Sequence, residues 1–340
     1  MDGLYFRRVF GDMPTLEKLF HPLIAEGPYF KLICGATFRD YTELTHLSTI
    51  YTLAGAKLVD VAATLEAVEA ALAGVRRARR LGSAWLPQPP VPLVMVSIAS
   101  DDDPHVQVAV KDDEKCTQVC PHCKHACPHM AIDEDLNIIE NRCVGCTDCV
   151  AACPEEAIHM ERTKFHVPLG QLWDAGARAL ELHVGTGERV ERWEEPVRKW
   201  CERGGLFSLS LNAVQMNSRK AISVAKKVQK WVDSPIIVQA DGKPISGEAG
   251  EASTSPAVDF ASKLIAGGVS HVQAAGGTND LTGRLAKDKA VPLAGVGVGS
   301  YARSLVRDIK GLGDPNGGMS EALSRARRLV ASVNPLFEEK

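Results

Sequence analysis

The sequence is short of positive charge, of long apolar runs and, outside one stretch, of cysteine. Its net charge is −3, without the basic excess that general nucleic-acid binding draws on, so no nucleic-acid partner is expected. No run approaches the roughly 18 apolar residues of a membrane-spanning helix, so no transmembrane segment is expected. The opening "MDGLYFRRVFGDMPTLEKLF" lacks an apolar signal core and mixes acids among its bases, and reads as neither signal nor clean transit peptide. Only Cys34 and Cys201 lie outside residues 116–153, which hold the other eight of ten cysteines. A secreted disulfide framework spreads its cysteines through a small, loop-rich chain. Tight clustering in a chain of 340 residues points instead to metal and a reducing compartment. No nucleophile–base pair or lysine Schiff-base site is evident, so no catalytic residue is assigned.

What is present is ordinary globular material, 45% hydrophobic and 24% charged, carrying a repeated phrase. An amphipathic helix meets a Gly-Ala or Gly-Gly stop, and a short apolar run follows. "LAGAKLVDVAA" (53–63) and "DAGARALELHVGTG" (174–187) match closely; "ERGGLFSLSLNA" (202–213), "IAGGVSHVQAAGGT" (265–278) and "KAVPLAGVGVGS" (289–300) vary it. With 29–38, 91–100 and 234–242 they make eight strands. Glycine suits the position after a helix, and a short apolar run suits a parallel strand buried on both faces. Three- and four-residue spacing predicts helices over 41–53, 65–80, 189–203, 218–232 and 256–266. The pattern predicts a (β/α)8 barrel, with an open doubly wound sheet as the alternative. One connection is abnormal: about 65 residues separate strand three from the next helix near 169–175, and they hold all eight clustered cysteines. Loops after strands emerge on the C-terminal face, so the cysteines form an insertion at the barrel mouth. The expected units are 1–100 (N-terminal segment, strands one to three), 101–165 (insert), 166–311 (strands four to eight) and 312–340 (linker and helix).

In the insert, "RCVGCTDCVAACP" has the C-x2-C-x2-C-x3-C-P spacing of bacterial ferredoxins, in which three thiolates hold one [4Fe–4S] cluster and the fourth reaches the other. "KCTQVCPHCKHACP" matches it except for one extra residue in its first gap. C-x3-C-x2-C alone is also the spacing of radical S-adenosylmethionine enzymes, but there no fourth cysteine stands by. Zinc is the other rival, through Cys120, Cys123, Cys146 and Cys149. The matched Cys-Pro ends favour two [4Fe–4S] clusters. The crossed arrangement gives Cys116, Cys120, Cys123 and Cys153 to one, and Cys143, Cys146, Cys149 and Cys127 to the other. The extra residue should alter N–H donors to the first cluster and set the two potentials apart. His122, His125 and His129 read as solvated loop residues ahead of any role in coupling potential to pH. "DDDPH" (101–105) reads as the hinge. Residues 101–164 carry 14 acids against 6 bases, either a solubilising surface or a face for a basic redox partner.

At the mouth, "AAGGTND" and "GVGVGSYAR" follow the last two strands, where barrels often bind phosphate. Gly276, Gly277, Thr278, Gly299 and Ser300 are candidates to hold FMN or another phosphate-bearing ligand, or are tight turns with nothing bound. Asp60, Glu181, His183, Asn212, Gln239, Asp241 and Gln273 lie in or just after strands, where alternation turns many toward the mouth. His183 reads as a satisfied core histidine ahead of a catalyst, and Cys34 and Cys201 as ordinary thiols.

The strings "EGPYFKLICGATFRD", "YTLAGAKLVDVAA", "DDDPH" before the paired cysteine motifs, "VPLGQLWDAGARALELHVGTG", "VQADGKPISGE", "QAAGGTND" and "AGVGVGSYAR" resemble the light-dependent period (LdpA) family of cyanobacteria, over roughly residues 26–309. The resemblance implies a regulatory protein that senses photosynthetic redox state through its iron–sulfur clusters and feeds light input to the circadian clock. It implies a redox partner or a quinone or other small-molecule signal, clock-associated proteins, and a cytoplasmic or plastid-stromal location. An iron–sulfur flavoenzyme is the alternative, and a purely structural role for the clusters a third.

Overall fold

Every apolar run that follows a helix stop becomes a strand of a barrel. The computed structural model describes residues 23, 27–85, 91–100, 103, 106–163, 167–242, 249–309 and 317–333. The first half runs β1 (Tyr29–Ile33), α1 (Tyr41–Ala54), β2 (Leu58–Ala62), α2 (Leu65–Trp85), β3 (Leu93–Ala99), β4 (Gln107–Lys111), α3 (His122–Ala126), α4 (Asp148–Ala152) and β5 (Ile158–Arg162). Then come α5 (Leu169–Ala175), β6 (Ala179–Val184), α6 (Glu194–Glu202), β7 (Leu206–Asn212), α7 (Ser218–Gln229) and β8 (Ile237–Asp241). The chain continues through α8 (Glu251–Ala266), β9 (Val272–Ala275), α9 (Thr282–Asp288), β10 (Gly295–Val298), α10 (Ser300–Arg307) and α11 (Gly318–Val333).

Eight parallel strands close in the order β1-β10-β9-β8-β7-β6-β3-β2. Pairing of Tyr29–Leu32 with Gly295–Val298 seals the ring, so the open-sheet alternative does not apply. The glycine stops act as expected: Gly55 (φ 107°) and Gly176 (φ 116°) take the left-handed conformation that ends α1 and α5. At the other end of α1, Asp40 accepts the Glu43 N–H at 3.1 Å.

Several helices differ from their sequence limits: α2 runs on to Trp85, five residues past its expected end, and α7 stops at Gln229. The 189–203 segment opens with a 3-10 turn, Val190–Trp193, and α6 starts only at Glu194. Conversely, α8 begins five residues before Pro256. Its first turn is held by tertiary bonds, Ser253 Oγ to Gly277 O (2.8 Å) and Thr254 Oγ1 with Thr282 Oγ1 (2.7 Å), which outweigh the proline signal. At the C-terminal end, α11 packs on α1, α9 and α10 and places Met319, Ala322, Leu329 and Val330 in the main core.

Alternation divides the strand residues cleanly. Phe30, Leu32, Val59, Val61, Leu180, Leu182, Leu209 and Val296 join the large core beneath the helices. Tyr29, Leu58, Leu93, Met95, Ala179, Leu206 and Ile237 form a separate apolar cluster at the N-terminal end of the barrel interior. The residues two positions further along the strands are mostly polar, and they lead up to the mouth.

Between β3 and α5 lies the cysteine module. Its entering and leaving strands, β4 and β5, pair antiparallel from Gln107↔Arg162 to Lys111↔Ile158, so the ends of the insertion lie side by side. The Arg162 guanidinium donates to Ser100 O (2.6 Å), tying this stem to the end of β3. A long insertion thus leaves barrel closure undisturbed. Of the expected hinge 101–105 only Asp103 is among the described residues, and it is buried. The segment before Leu23 lies outside them.

Candidate functional site

The module repeats itself, and the repeat follows from sequence. "CPHMAI" and "CPEEAI" each close a short helix with cysteine-proline. In both, the residue three after the cysteine is left-handed (Met130 φ 50°, Glu156 φ 49°). That bend returns the next N–H to sulfur: Ala131 N–H to Cys127 Sγ (3.4 Å) and Ala157 N–H to Cys153 Sγ (3.3 Å). The halves differ where their first gaps differ. In the shorter gap Gly145 (φ 74°) lies so close to β4 that a Cβ would stand 2.6 Å from Gln107 O. The longer gap uses Gln118 (φ 58°) and exposes Val119.

The thiols fall into two groups. Cys149 feels the charge of Cys143 and Cys127, and Cys146 that of Cys127 and Cys149. Cys123 feels Cys153 and Cys116. Cys123 and the Cys146–Cys149 pair, which a zinc site would join, therefore fall in different groups. Among the described residues no three His, Cys, Asp or Glu side chains converge as a single ion requires. Cys120 is half-buried on the loop entering α3.

The group containing Cys127 surrounds a small hollow, lined by all four of its cysteines with Ala109, Ile132 and Met160. Ala109 N–H reaches Cys143 Sγ at 3.4 Å. Burial pushes the Cys146 and Cys149 thiols up to about 12, although N–H groups of Asp148, Cys149 and Val150 oppose it. Bare thiolates are costly in such a place, whereas iron supplies the positive charge that makes them stable. Four soft sulfur donors around an apolar hollow, supplied with backbone N–H groups, fit an iron–sulfur cluster.

This hollow faces the barrel. Thr37 Oγ1 donates to Cys143 O (2.8 Å), Arg39 pairs with Glu140 (2.5 Å), and Arg142 with Asp40 (3.1 Å). Arg307 donates to Pro128 O, and the buried His129 meets Arg303 at 3.4 Å. His129 is thus not the solvated residue expected from sequence: it is 4% exposed, while His122 and His125 are exposed. Burial, then Arg303 and Arg307, drive its imidazole down to about 2, so it stays neutral. The long "HACPHM" loop gave no hint that a barrel helix would cover it.

A second cavity, about 80 Å³, opens at the barrel mouth, and Val144 lines both it and the cysteine hollow. Gly276, Gly277, Thr278, Gly299 and Ser300 all line it, as do Asp60, His183, Gln239 and Asp241. Several have structural duties as well. Gly276 and Gly277 are left-handed (φ 71° and 80°), and a Cβ on Gly277 would stand 2.4 Å from Ser253 O. Thr278 Oγ1 donates to Gly297 O (2.5 Å). Asn212 and Gln273 do not line the mouth. The Asn212 side chain accepts the Val214 N–H (2.8 Å), closing the turn after β7. Gln273 lies deeper, accepting from Tyr29 OH (2.8 Å) and donating to Gln239 Oε1 (2.7 Å).

At the centre of that deeper layer is a residue the sequence reading passed over. Lys31, fully buried in β1, donates to Glu181 Oε2 (2.6 Å) and Gln239 Oε1 (2.7 Å) and pairs with Asp60 Oδ2 (3.3 Å). Ser208 also donates to Glu181 (2.7 Å), and Ser97 to Asp60 (2.7 Å). His183 stands 3.4 Å from both Ser97 Oγ and Glu181 Oε1. Burial alone would lower the Lys31 ammonium, but Glu181 and Asp60 overcome it and raise it. Burial would raise Glu181, and Lys31, His183 and Ser208 overcome that; at Asp60 burial prevails and the carboxyl is raised. A lysine held this firmly as ammonium is not a Schiff-base nucleophile. The available signal was its place in "YFKLI", alternating with Tyr29 and Ile33.

A (β/α)8 barrel with a ferredoxin-like module seated over its mouth defines an iron–sulfur barrel protein. The family described as the light dependent period A C-terminal domain matches residues 171–333, and the 4Fe-4S binding domain matches 136–158. Light dependent period A of Synechococcus elongatus is 32% identical over 302 residues, covering 83% of this chain and 82% of the relative. Pyruvate synthase subunit PorD of Methanothermobacter marburgensis is 42% identical over 53 residues, covering 16% of this chain and 64% of that protein. The chain is an iron–sulfur protein that belongs to the light dependent period A family. Tryptophan synthase of M. tuberculosis resembles it at a TM-score of 0.47 and 12% identity, covering 94% of this chain and 98% of that one, a likeness too loose to carry argument. Among the described residues no helix is long and apolar enough to cross a membrane.

Proposed function

We propose that the protein is a redox sensor rather than an enzyme, carrying two [4Fe–4S] clusters and reporting cellular electron supply to partner proteins. Cys116, Cys120, Cys123 and Cys153 hold the outer cluster; Cys127, Cys143, Cys146 and Cys149 hold the inner one. Each cluster supplies one-electron chemistry. The chain's own part is to exclude water from the inner site, to direct N–H groups at its sulfurs, and to fix it against the barrel. The observation that carries this reading is the seating of the inner cysteine hollow on the barrel mouth, the two cavities sharing Val144. A change of charge in the hollow is thereby felt where a barrel binds its ligand. The acidic module offers a face to a basic partner. The relative's name, light dependent period A, and its cyanobacterial source support a light-dependent role in biological timing; clock-associated partners and a cytoplasmic or plastid-stromal location belong to the same reading.

A second reading is an iron–sulfur flavoenzyme, favoured by the mouth cavity and its five glycine-loop residues. One sample decides. Anaerobically purified protein is assayed for iron, sulfide and flavin and titrated under EPR. The sensor reading expects about eight iron and eight sulfide per chain, reversible one-electron reduction and no flavin. About four iron reduces it to one cluster, irreducible clusters leave only a structural role, and bound flavin with turnover favours the enzyme.

A further inference from the structure

Arg303 is the largest fully buried side chain among the described residues, and it forms no ion pair. Its guanidinium donates to Cys34 O (2.5 Å) and Ser300 Oγ (3.2 Å), meets His129 Nδ1 (3.4 Å), and lies 5.2 Å from the Phe38 ring centre. All four partners are neutral, its Nε has no hydrogen-bond partner, and the Glu43 carboxylate acts on it only through space, without pairing. A buried cation with no carboxylate in contact is expensive to keep. Two further places for negative charge adjoin it. On one side is the inner cysteine hollow, reached through His129, which lines it and meets Arg303. On the other is the mouth cavity, which Arg303 itself lines at the first turn of α10, beside the Gly276–Thr278 loop. The carboxylates there, Asp60 and Asp241, are already engaged by Lys31 and Ser97 and by Ser210 and Gln239. Lys31 is likewise committed, which leaves Arg303 to an incoming anion.

We propose that Arg303 is a shared counter-charge, serving both the inner cluster and a phosphate group bound at the barrel mouth, so that cluster reduction and anion binding oppose each other. The mouth is then a regulatory site for inorganic phosphate or an organic phosphate monoester. The inference rests on the iron–sulfur reading above. Reduction adds one electron from an external one-electron donor and breaks no bond, taking the thiolate-ligated cluster from about two negative charges to about three. Arg303 stabilises that added charge. An anion paired with Arg303 takes part of the stabilisation away, and by linkage reduction weakens anion binding by the same factor. Arg303 here is a positioning residue, since it touches no sulfur.

The test uses full-length holoprotein, prepared anaerobically, with iron content measured first. Midpoint potentials are followed by EPR in the presence of inorganic phosphate, glycerol 3-phosphate, or chloride at matched ionic strength. Phosphate or its monoester is expected to lower one midpoint by about 59 mV, a tenfold change in the one-electron equilibrium, and to leave the other in place. Whichever compound acts at lower concentration identifies the source, and either supports the proposal. Direct binding should be about tenfold weaker to reduced than to oxidised protein. Ser300→Asp sets a carboxylate on Arg303 at a helix N-terminus that tolerates acid; it should lower the same midpoint unaided and abolish the phosphate response. Arg303→Met should do likewise and Arg303→Lys should keep most of the coupling; should the former fail to fold, Ser300→Asp still decides. Midpoints unmoved by either anion and by Ser300→Asp, or two clusters shifting together, overturn the proposal while leaving the sensor reading intact. Protein without iron overturns both.

Discussion

The module and the barrel interior both bury chemically demanding groups, on very different foundations. The module's own core is nine buried residues, three of them cysteines: Val108, Ala109, Cys123, Ala131, Ile132, Leu136, Cys143, Cys149 and Ile158. The barrel rests on a continuous core beneath its helices and an apolar floor within the ring. Inside it, Lys31, Glu181 and Asp60 satisfy one another, so charge meets charge from the same chain. In the module the thiols crowd together and burial pushes them toward the neutral form, so their balance must come from iron. A core that small does not stand alone, and a metal site is then part of the folding free energy.

The largest expected effect separates the two regions outright. Cys146→Ala should remove the inner cluster, about half the iron, and collapse the module while the barrel stays folded. Hydrogen exchange read by mass spectrometry should show protection lost across β4, α3, α4 and β5 and retained in β6 to β10. Loss of protection throughout the barrel would show that the two regions fold as one unit.

Next is the barrel's own charge centre. Lys31→Met strands two buried carboxylates and should cost about 3–5 kcal/mol in urea unfolding. The pH dependence follows from direction. Glu181 is held below its usual range, so its contribution is full above its unfolded value of about 4.3 and is lost as pH falls through the folded one. Asp60 is raised, so its contribution is full below about 3.9 and fades as pH rises through the folded value. Glu181→Gln should therefore flatten the acid side of the stability profile, and Asp60→Asn the side toward neutrality. The reverse pattern would mean that Lys31 lowers Asp60 rather than Glu181.

These two regions were not equally legible in the sequence. Cluster spacing is local: Cys143, Cys146 and Cys149 sit within one turn and loop, and the repeated Cys-Pro marks both halves. The eight strands were legible too, because glycine stops such as Gly55 and Gly176 recur before several of the apolar runs and the remaining runs share their length and composition. Lys31, Asp60, Glu181 and Gln239 come from four strands, and only closure of the ring brings them together. The burial of His129 and the isolation of Arg303 arise from docking the module on α10, which no spacing within either segment records. The start of α8 was missed for the same reason, since its first turn is held by Gly277 and Thr282 from a distant loop.

The mouth glycines sharpen the comparison at smaller cost. Gly277→Ala should destabilise the barrel by about 2 kcal/mol, since the substitution meets both a left-handed backbone and Ser253 O. Thermal unfolding of the iron-depleted protein isolates this effect from any ligand. An unchanged midpoint would mean that the glycine serves binding rather than folding.

The smallest effect is expected at the seam between the regions. Arg39–Glu140 and Arg142–Asp40 join module to barrel, but Glu140 is 59% exposed and Arg142 38%. Exposed pairs of this kind contribute about 0.2–1 kcal/mol and are screened by salt. Thr37 Oγ1 to Cys143 O is instead a buried bond, and its loss leaves a carbonyl beside the inner hollow without that donor. Glu140→Gln should therefore barely change urea stability, and its small effect should vanish in 1 M salt. Thr37→Val should cost about 1–3 kcal/mol, independent of salt. Were Glu140→Gln the costlier of the two, the module would be held on the barrel by surface charge, and the tight seating of the inner hollow against the mouth would have to be given up.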